Sequence, residues 1–194
     1  MATQEERKLE TKLKIIKSAK KLFDKSGYKY TTVEQIIKSA NISKGTFYKY
    51  FETKVDILIF IARDDYRDKN KEALELISNG ANALTILGQY LDALAFWFES
   101  KGKLAKDIIQ VSINFRDNCE ISKYSGYGFI HEVLKEALKQ NLIEKFTNIS
   151  ELTDLIGGAI IISVLSWSKD TKSGQLQKSL SYKYELLLQG IKND

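Results

Sequence analysis

Proline is absent from the 194 residues, and the chain has a single cysteine, Cys119, and a single histidine, His131. Without proline, long helices have no obligatory breakpoints, and the abundant Lys, Glu, Leu, Ile and Ala favour helix. One cysteine excludes an intramolecular disulfide and a cysteine-based zinc site, which is typical of a reducing compartment. We therefore expect an all-α protein of the cytoplasm, held together by packing, with no cofactor and no metal site.

Long apolar runs are also missing. The most apolar run, 159–167, is far too short to span a bilayer, and the first residues lack the apolar segment of a secretory signal.

Positive charge, in contrast, is concentrated: residues 1–54 contain 13 Lys or Arg and 6 Asp or Glu, whereas residues 55–194 contain 17 and 19. This asymmetry is the footprint of a polyanion-binding domain, 1–54, joined to a near-neutral body, 55–194, although a solvated helix face would give the same imbalance.

Apolar residues recur at helical spacing along the basic segment. They predict a first helix that ends at Gly27, a second that follows the capping residues Thr31 and Thr32, and a third at 44–50 that Ser43 caps. Residues 41–43 form the turn between the second and third helices. Two short helices around such a turn form a helix-turn-helix motif. The second helix of the motif, which is the third helix of the segment, can enter the major groove of DNA.

This segment strongly resembles the DNA-binding domain of the TetR family of transcriptional regulators. The shared pattern covers about a quarter of the chain and consists of three runs: Ile16-x2-Ala19-x2-Leu22-Phe23, Gly27-Tyr28-x2-Thr31-Thr32-Val33-x2-Ile36, and Ala40-x2-Ser43-x-Gly45-Thr46-Phe47-Tyr48-x-Tyr50-Phe51-x2-Lys54-x3-Leu58. The resemblance implies a dimeric repressor that binds palindromic operator DNA through a three-helix amino-terminal domain. It also implies a helical carboxy-terminal domain for dimerisation and for a small-molecule inducer that releases the DNA.

Several residues of this pattern have side chains suited to phosphate or to base edges. Gly45 allows close approach to a phosphate, and Tyr48 and Lys54 can reach one, although Tyr48 could instead pack between helices. Lys44 is the preferred reader of base edges, although it and Lys49 could contact phosphate alone. The predicted DNA-binding residues are Thr32, Val33, Ser43, Lys44, Gly45, Thr46, Tyr48, Lys49 and Lys54.

Beyond the basic segment, helices are predicted at 53–77, 82–100, 103–117, 125–141, 150–168 and 174–191. Because TetR-like proteins dimerise through their last two long helices, the resemblance implies an interface on the final pair. The alternative is that the helix at 150–168 is simply central in its own subunit. The predicted interface residues are Leu152, Ile156, Ala159, Leu180, Tyr184, Leu187, Leu188 and Ile191.

Between the basic segment and the last two helices, the chain contains many aromatic side chains and a few polar ones. They would suit a small amphipathic or aromatic ligand, but the same residues would form the core of a helical domain that binds nothing. His131 is also a candidate pH sensor. The predicted ligand-binding residues are Tyr90, Leu94, Trp97, Phe98, Phe115, Asn118, Tyr127, His131 and Trp167, and Cys119, Tyr124 and Phe129 are further candidates for the same pocket.

Two other functions compete with an inducible repressor. A TetR-like repressor without a small-molecule inducer, either protein-regulated or constitutive, would have the same DNA-binding domain. An all-helical enzyme is disfavoured, because the sequence has no G-x-x-x-x-G-K, H-E-x-x-H or G-x-S-x-G motif, and it offers no catalytic residues.

Overall fold

The computed structural model describes residues 3–114, 126–145 and 148–191. Within these ranges the chain forms nine α-helices, which confirms the all-α prediction. They are α1 (Gln4–Ser26), α2 (Val33–Ala40), α3 (Lys44–Tyr50), α4 (Lys54–Ser78), α5 (Ala83–Lys101), α6 (Leu104–Asn114), α7 (Gly126–Lys139), α8 (Ile149–Trp167) and α9 (Gln175–Ile191).

Reciprocal capping bonds fix the start of three of these helices. In each, a threonine hydroxyl accepts the N–H of the third helical residue, the side chain of which accepts the threonine N–H in return. The pairs are Thr3 with Glu6, Thr32 with Gln35 and Thr53 with Asp56. Each pair satisfies donors that the beginning of a helix leaves without a helical acceptor. Local sequence therefore determines where α2 and α4 begin.

The helix-turn-helix consists of α2 and α3, with α1 packed behind α2. Asn41 ends α2 in the left-handed conformation, with φ 48°, and the Ser43 side chain caps α3. Ile36 of α2, Phe47 of α3 and Ile15 of α1 are completely buried. Because these apolar side chains hold one side of α3 in the core, the opposite side of α3 faces solvent.

α5 lies at the centre of the body, where it packs against α4, α6, α7 and α9. Gly88 permits its close approach to α9, since an added Cβ would lie 3.0 Å from the Tyr184 ring. The buried side chains form one continuous cluster from α1 to α9. The cluster passes through α4, so the boundary at residue 54 remains a prediction.

α8 is long and apolar enough, by length and composition, to cross a membrane. In the fold it packs against α6, α7 and α9, and its Ile156, Ile160 and Val164 are buried. The core helix of a globular protein has the same composition. Part of its apolar character is thus explained by packing within the subunit.

A carboxylate from α5 caps the start of α9. Glu99 accepts the backbone N–H of Gly174 at 2.8 Å and that of Leu176 at 3.0 Å. Amides in the first turn of a helix have no acceptor within the helix, and a negative charge there is favoured by the helix dipole. Glu99 therefore ties the end of α5 to the beginning of α9.

Replacement of Glu99 by alanine should lower the free energy of unfolding by about 2 kcal/mol, because it removes two charge-assisted hydrogen bonds. Denaturant titration of the full-length protein measures the change. The control is Glu75→Ala, which removes an exposed carboxylate 3.9 Å from Lys71. The control should cost less than about 0.5 kcal/mol, and equal effects of the two replacements would show that Glu99 is no cap.

Candidate nucleic-acid interface and effector site

α3 presents a short polar surface to solvent. Lys44, Gly45 and Lys49 are exposed, and Tyr48 is 46% exposed. The Lys44 ammonium lies 5.9 Å from the centroid of the Tyr48 ring. That ring also packs edge-on against the buried Phe47, with 5.4 Å between centroids. Tyr48 therefore combines a packing contact with an exposed surface beside Lys44.

Three hydroxyls predicted to contact DNA also make local hydrogen bonds, and two of them cap helices. Thr32 Oγ1 accepts the Gln35 N–H at 3.2 Å, and Ser43 Oγ accepts the Thr46 N–H at 3.0 Å. The Ser43 and Thr46 hydroxyl oxygens lie 2.8 Å apart. A hydroxyl can donate one hydrogen bond and accept two, so a cap retains capacity for phosphate. Val33, in contrast, is half-buried against the core, which limits its contact with a base.

Lys54 makes contacts within the protein that the sequence did not indicate. Its Nζ donates to the carbonyl oxygens of Tyr28 at 2.8 Å, Lys29 at 3.2 Å and Thr31 at 2.8 Å. The same ammonium lies 4.5 Å from the centroid of the Tyr28 ring. Burial lowers the pKa of Lys54, and the charge of Asp107 partly offsets this effect.

An ammonium has three N–H donors, and each of those of Lys54 has a carbonyl acceptor in the loop between α1 and α2. The phosphate contact predicted for Lys54 would compete with these bonds. The geometry instead makes Lys54 the residue that closes this loop against the start of α4. The sequence contains no sign of this role, because the acceptors are backbone atoms 23 to 26 residues away.

A chain of aromatic rings connects α4, α5 and α7 in the body. The centroid distances are 5.5 Å for Tyr66 and Trp97, 6.0 Å for Tyr66 and Tyr90, and 4.6 Å for Tyr90 and Phe129. Burial raises the pKa of the Tyr90 phenol above its ordinary value. Tyr66 is absent from the predicted ligand-binding residues. It lies on α4 and contacts rings of α5, and such a contact between helices cannot be predicted from a local sequence pattern.

The other predicted ligand-binding residues have different surroundings. The Tyr127 hydroxyl donates to Asp154 Oδ1 at 2.7 Å, and His131 Nδ1 lies 3.3 Å from Thr153 Oγ1, so both residues join α7 to α8. Three more are buried in the core: Leu94, Phe98 and Trp167. Four positions lie outside the residues that the structure describes: Phe115, Asn118, Cys119 and Tyr124.

A surface groove of about 420 Å³ opens between α5 and α9, at a place that the sequence did not indicate. Gly88 and Tyr184 line it together with the carboxylates Asp92 and Glu185. None of the predicted ligand-binding residues lines this groove. Within residues 3–114, 126–145 and 148–191, no cluster of three or more His, Cys, Asp or Glu side chains could hold a metal ion.

The predicted interface residues of α8 and α9 lie mostly on the inner side of these helices. Five of them are buried in their own subunit: Leu152, Ile156, Leu180, Tyr184 and Leu188. Three are half-buried: Ala159, Leu187 and Ile191. The large apolar side chains that face outward, 50 to 66% exposed, are Leu155, Ile162, Tyr182 and Leu186. The five buried positions pack against their own core, so they offer little surface to a second copy, and the interface stays a prediction.

The amino-terminal part of the chain matches a known family of proteins. Residues 15–59 match the family model for bacterial regulatory proteins of the tetR family. Over 187 residues the chain is 25% identical to the fatty acid metabolism regulator protein of Bacillus subtilis (strain 168), and the match covers 93% of this chain and 95% of that protein. Residues 15–59 therefore have the TetR-family DNA-binding domain, and the chain as a whole is similar to TetR-family regulators.

The TetR fold extends through the body. FadR of Thermus thermophilus, solved in complex with lauroyl-CoA, matches with a TM-score of 0.70 and 22% identity over 92% of this chain and 93% of that one. FadR of Bacillus subtilis, solved with stearoyl-CoA, matches with a TM-score of 0.68 and 21% identity over 92% and 98%. This chain is a DNA-binding transcriptional regulator, and the relatives that it matches are regulators rather than enzymes.

Replacement of Lys54 by methionine should lower the free energy of unfolding by about 2 kcal/mol, because it removes hydrogen bonds from a charged donor. It should weaken DNA binding without flattening the dependence of affinity on salt. Lys49→Met, at an exposed position, is the comparison, and its salt slope should fall by about 0.9 for each phosphate that the variant no longer binds. A flatter slope and unchanged stability for Lys54→Met would return Lys54 to the phosphate-binding residues.

Proposed function

We propose that this regulator is a repressor that binds palindromic operator DNA as a homodimer and leaves it when a long-chain fatty acyl-CoA binds to the body. The observation that carries the ligand class is similarity across both halves of the chain to regulators solved with lauroyl-CoA and stearoyl-CoA. The similarity to a fatty acid metabolism regulator covers nearly the whole chain and supports the same class.

The DNA-binding half has the surface that the proposal requires. The exposed side of α3 carries Lys44, Gly45, Tyr48 and Lys49 next to one another. A helix of this kind reads bases in the major groove while positive charges around it bind phosphates. The excess of basic residues in 1–54 supplies those charges. We assign base reading to Lys44 and phosphate contacts to its neighbours.

The aromatic chain of α4, α5 and α7 suits an acyl tail. Apolar and aromatic walls are the usual environment of such ligands, whereas the phosphates of CoA need cations near the surface. The Lys101 ammonium lies 4.7 Å from the centroid of the Trp97 ring, at one end of this chain. We therefore place the acyl tail along Tyr66, Tyr90 and Phe129, and the CoA portion towards Lys101.

The dimer surface follows from the outward side of α8 and α9. Leu155 and Ile162 on α8, and Tyr182 and Leu186 on α9, leave large apolar side chains in water. Gly158 lies between the two on α8, and a Cβ there would meet nothing within 4 Å, so a second helix can approach closely. An exposed apolar patch with small residues fits a twofold interface, in which the same surface of each copy meets the other.

Charged residues on this surface should yield monomers. In the double variant Leu155→Glu, Leu186→Glu, association would bury unpaired carboxylates, which is strongly unfavourable. Sedimentation at micromolar concentration should show a dimer for the unmodified protein and a monomer for the variant. Phe96→Glu is the matched control, because Phe96 is 75% exposed on α5, and it should stay dimeric. A dimeric double variant, or an unmodified monomer, would contradict the assigned surface.

Lauroyl-CoA and stearoyl-CoA should release the protein from an operator selected from random duplexes, whereas CoA alone should not. Trp97→Ala should raise the acyl-CoA concentration needed for release about tenfold, which corresponds to about 1.4 kcal/mol of binding free energy. Phe96→Ala changes the neighbouring exposed residue and should leave release unchanged. Anisotropy of labelled operator DNA follows both effects.

Linkage adds a second readout, since a ligand that weakens operator binding must itself be bound more weakly by the operator complex, by the same factor. Release by no acyl-CoA would overturn the ligand class and would favour a repressor regulated by a protein or not regulated at all. Equal responses of Trp97→Ala and the unmodified protein would overturn the placement of the acyl tail.

A further inference from the structure

The groove between α5 and α9 has an acidic end and an apolar end. Asp92 of α5 and Glu185 of α9 line the acidic end with Ser181, the hydroxyl of which donates to Asp92 Oδ1 at 3.0 Å. Leu188 lies seven residues after Ser181, about 10 Å further along the helix. It lines the apolar end with Leu142, which follows α7. A molecule in this groove therefore meets carboxylates at one end and hydrocarbon at the other.

The Tyr184 ring lines the groove between these two ends. Its hydroxyl donates to the carbonyl oxygen of Leu84. The ring also packs closely against the backbone of Gly88, since an added Cβ there would lie 3.0 Å from a ring carbon. The ring is therefore held in place before any ligand arrives. The face of an aromatic ring attracts cations and also packs well against hydrocarbon.

The two carboxylates of the groove make no ion pair within the part of the chain that the structure describes. The ion pairs found there join other side chains. Asp92 is half-buried, and Glu185 is exposed. Burial raises the pKa of Tyr184, and the charge of Glu185 adds to this rise, so Glu185 acts on the ring that lines the groove. A concave surface that has charge of one sign concentrates ions of the opposite sign.

We propose that this groove binds an organic cation, an alkylammonium ion with a short hydrocarbon tail. The ammonium lies between Asp92 and Glu185, and the tail runs along the Tyr184 ring towards Leu142 and Leu188. The groove of about 420 Å³ falls within the range of about 300 to 1,000 Å³ that is usual for small-molecule sites. Its carboxylates repel the phosphates of CoA. The site is therefore separate from the one proposed for acyl-CoA and does not depend on it.

Calorimetric titration of the full-length protein without DNA tests the charge preference of the groove. The ligand is octylammonium, and the comparison compounds are octan-1-ol, which has the same tail without charge, and octanoate, which has the opposite charge. Octylammonium should bind about tenfold more tightly than octan-1-ol, because charged hydrogen bonds add to the contacts of the tail. Octanoate should bind more weakly still. Undetectable binding of octylammonium, or equal affinities for the three compounds, would overturn the proposal.

Amide variants locate the charge that selects the ligand. Asp92→Asn together with Glu185→Gln keeps the shapes of both side chains and should weaken octylammonium about tenfold, to the affinity of octan-1-ol. Glu185→Gln alone changes an exposed residue, so it should fold, and it should weaken binding by at least about threefold. The control is Glu75→Gln, which neutralises an exposed carboxylate on α4 and should stay within about twofold. Equal affinities of the Glu185→Gln and Glu75→Gln variants would overturn the assignment.

Nuclear Overhauser contacts in the same complex locate the tail. Contacts between the octyl chain and the Tyr184 ring are expected. Contacts with the rings of Tyr90 and Phe129 alone would place the ligand in the aromatic chain and would overturn the proposal. Neither measurement uses operator DNA or acyl-CoA, so failure here leaves the proposed function to be judged by its own experiments.

Discussion

A contact between one ammonium and three carbonyl oxygens ties the start of α4 to the loop between α1 and α2. Lys54 begins α4, the helix that leads into the body, and it holds the backbone of Tyr28, Lys29 and Thr31. Hydrogen bonds from a charged donor are worth more than neutral ones, and a partly buried ammonium without them would be costly. The start of α2, and therefore the setting of α3, depends on this closed loop.

This arrangement separates two uses of positive charge in the basic segment. Lys54 stabilises the loop between α1 and α2 by hydrogen bonds to its backbone. Lys44 and Lys49 lie on the exposed side of α3, where DNA can reach them. A phosphate that approached Lys54 would have to replace carbonyl acceptors that already surround it. Counterion release, which makes binding to DNA salt-dependent, should therefore come from the exposed lysines.

The sequence predicted the helices closely, because helical periodicity and capping residues act over a few positions. Thr32, Ser43 and Thr53 cap the helices that follow them, as their local patterns indicate. The surroundings of Lys54 depend on residues far away in the chain, and local patterns carry no information about them. On α8 the sequence could not separate the inner side from the outer one, because Ile156 and Leu155 are both apolar and only packing shows which is buried.

The most direct test of the account is nitrogen NMR of the Lys54 ammonium in the full-length protein, with and without operator DNA. We expect slow exchange of its protons and couplings to backbone carbonyl carbons in both states, since the same loop is held when DNA is bound. Fast proton exchange in the free protein would contradict the three hydrogen bonds. A coupling from the Lys54 ammonium to phosphorus in the complex, with disappearance of the carbonyl couplings, would show that Lys54 binds DNA instead of the loop.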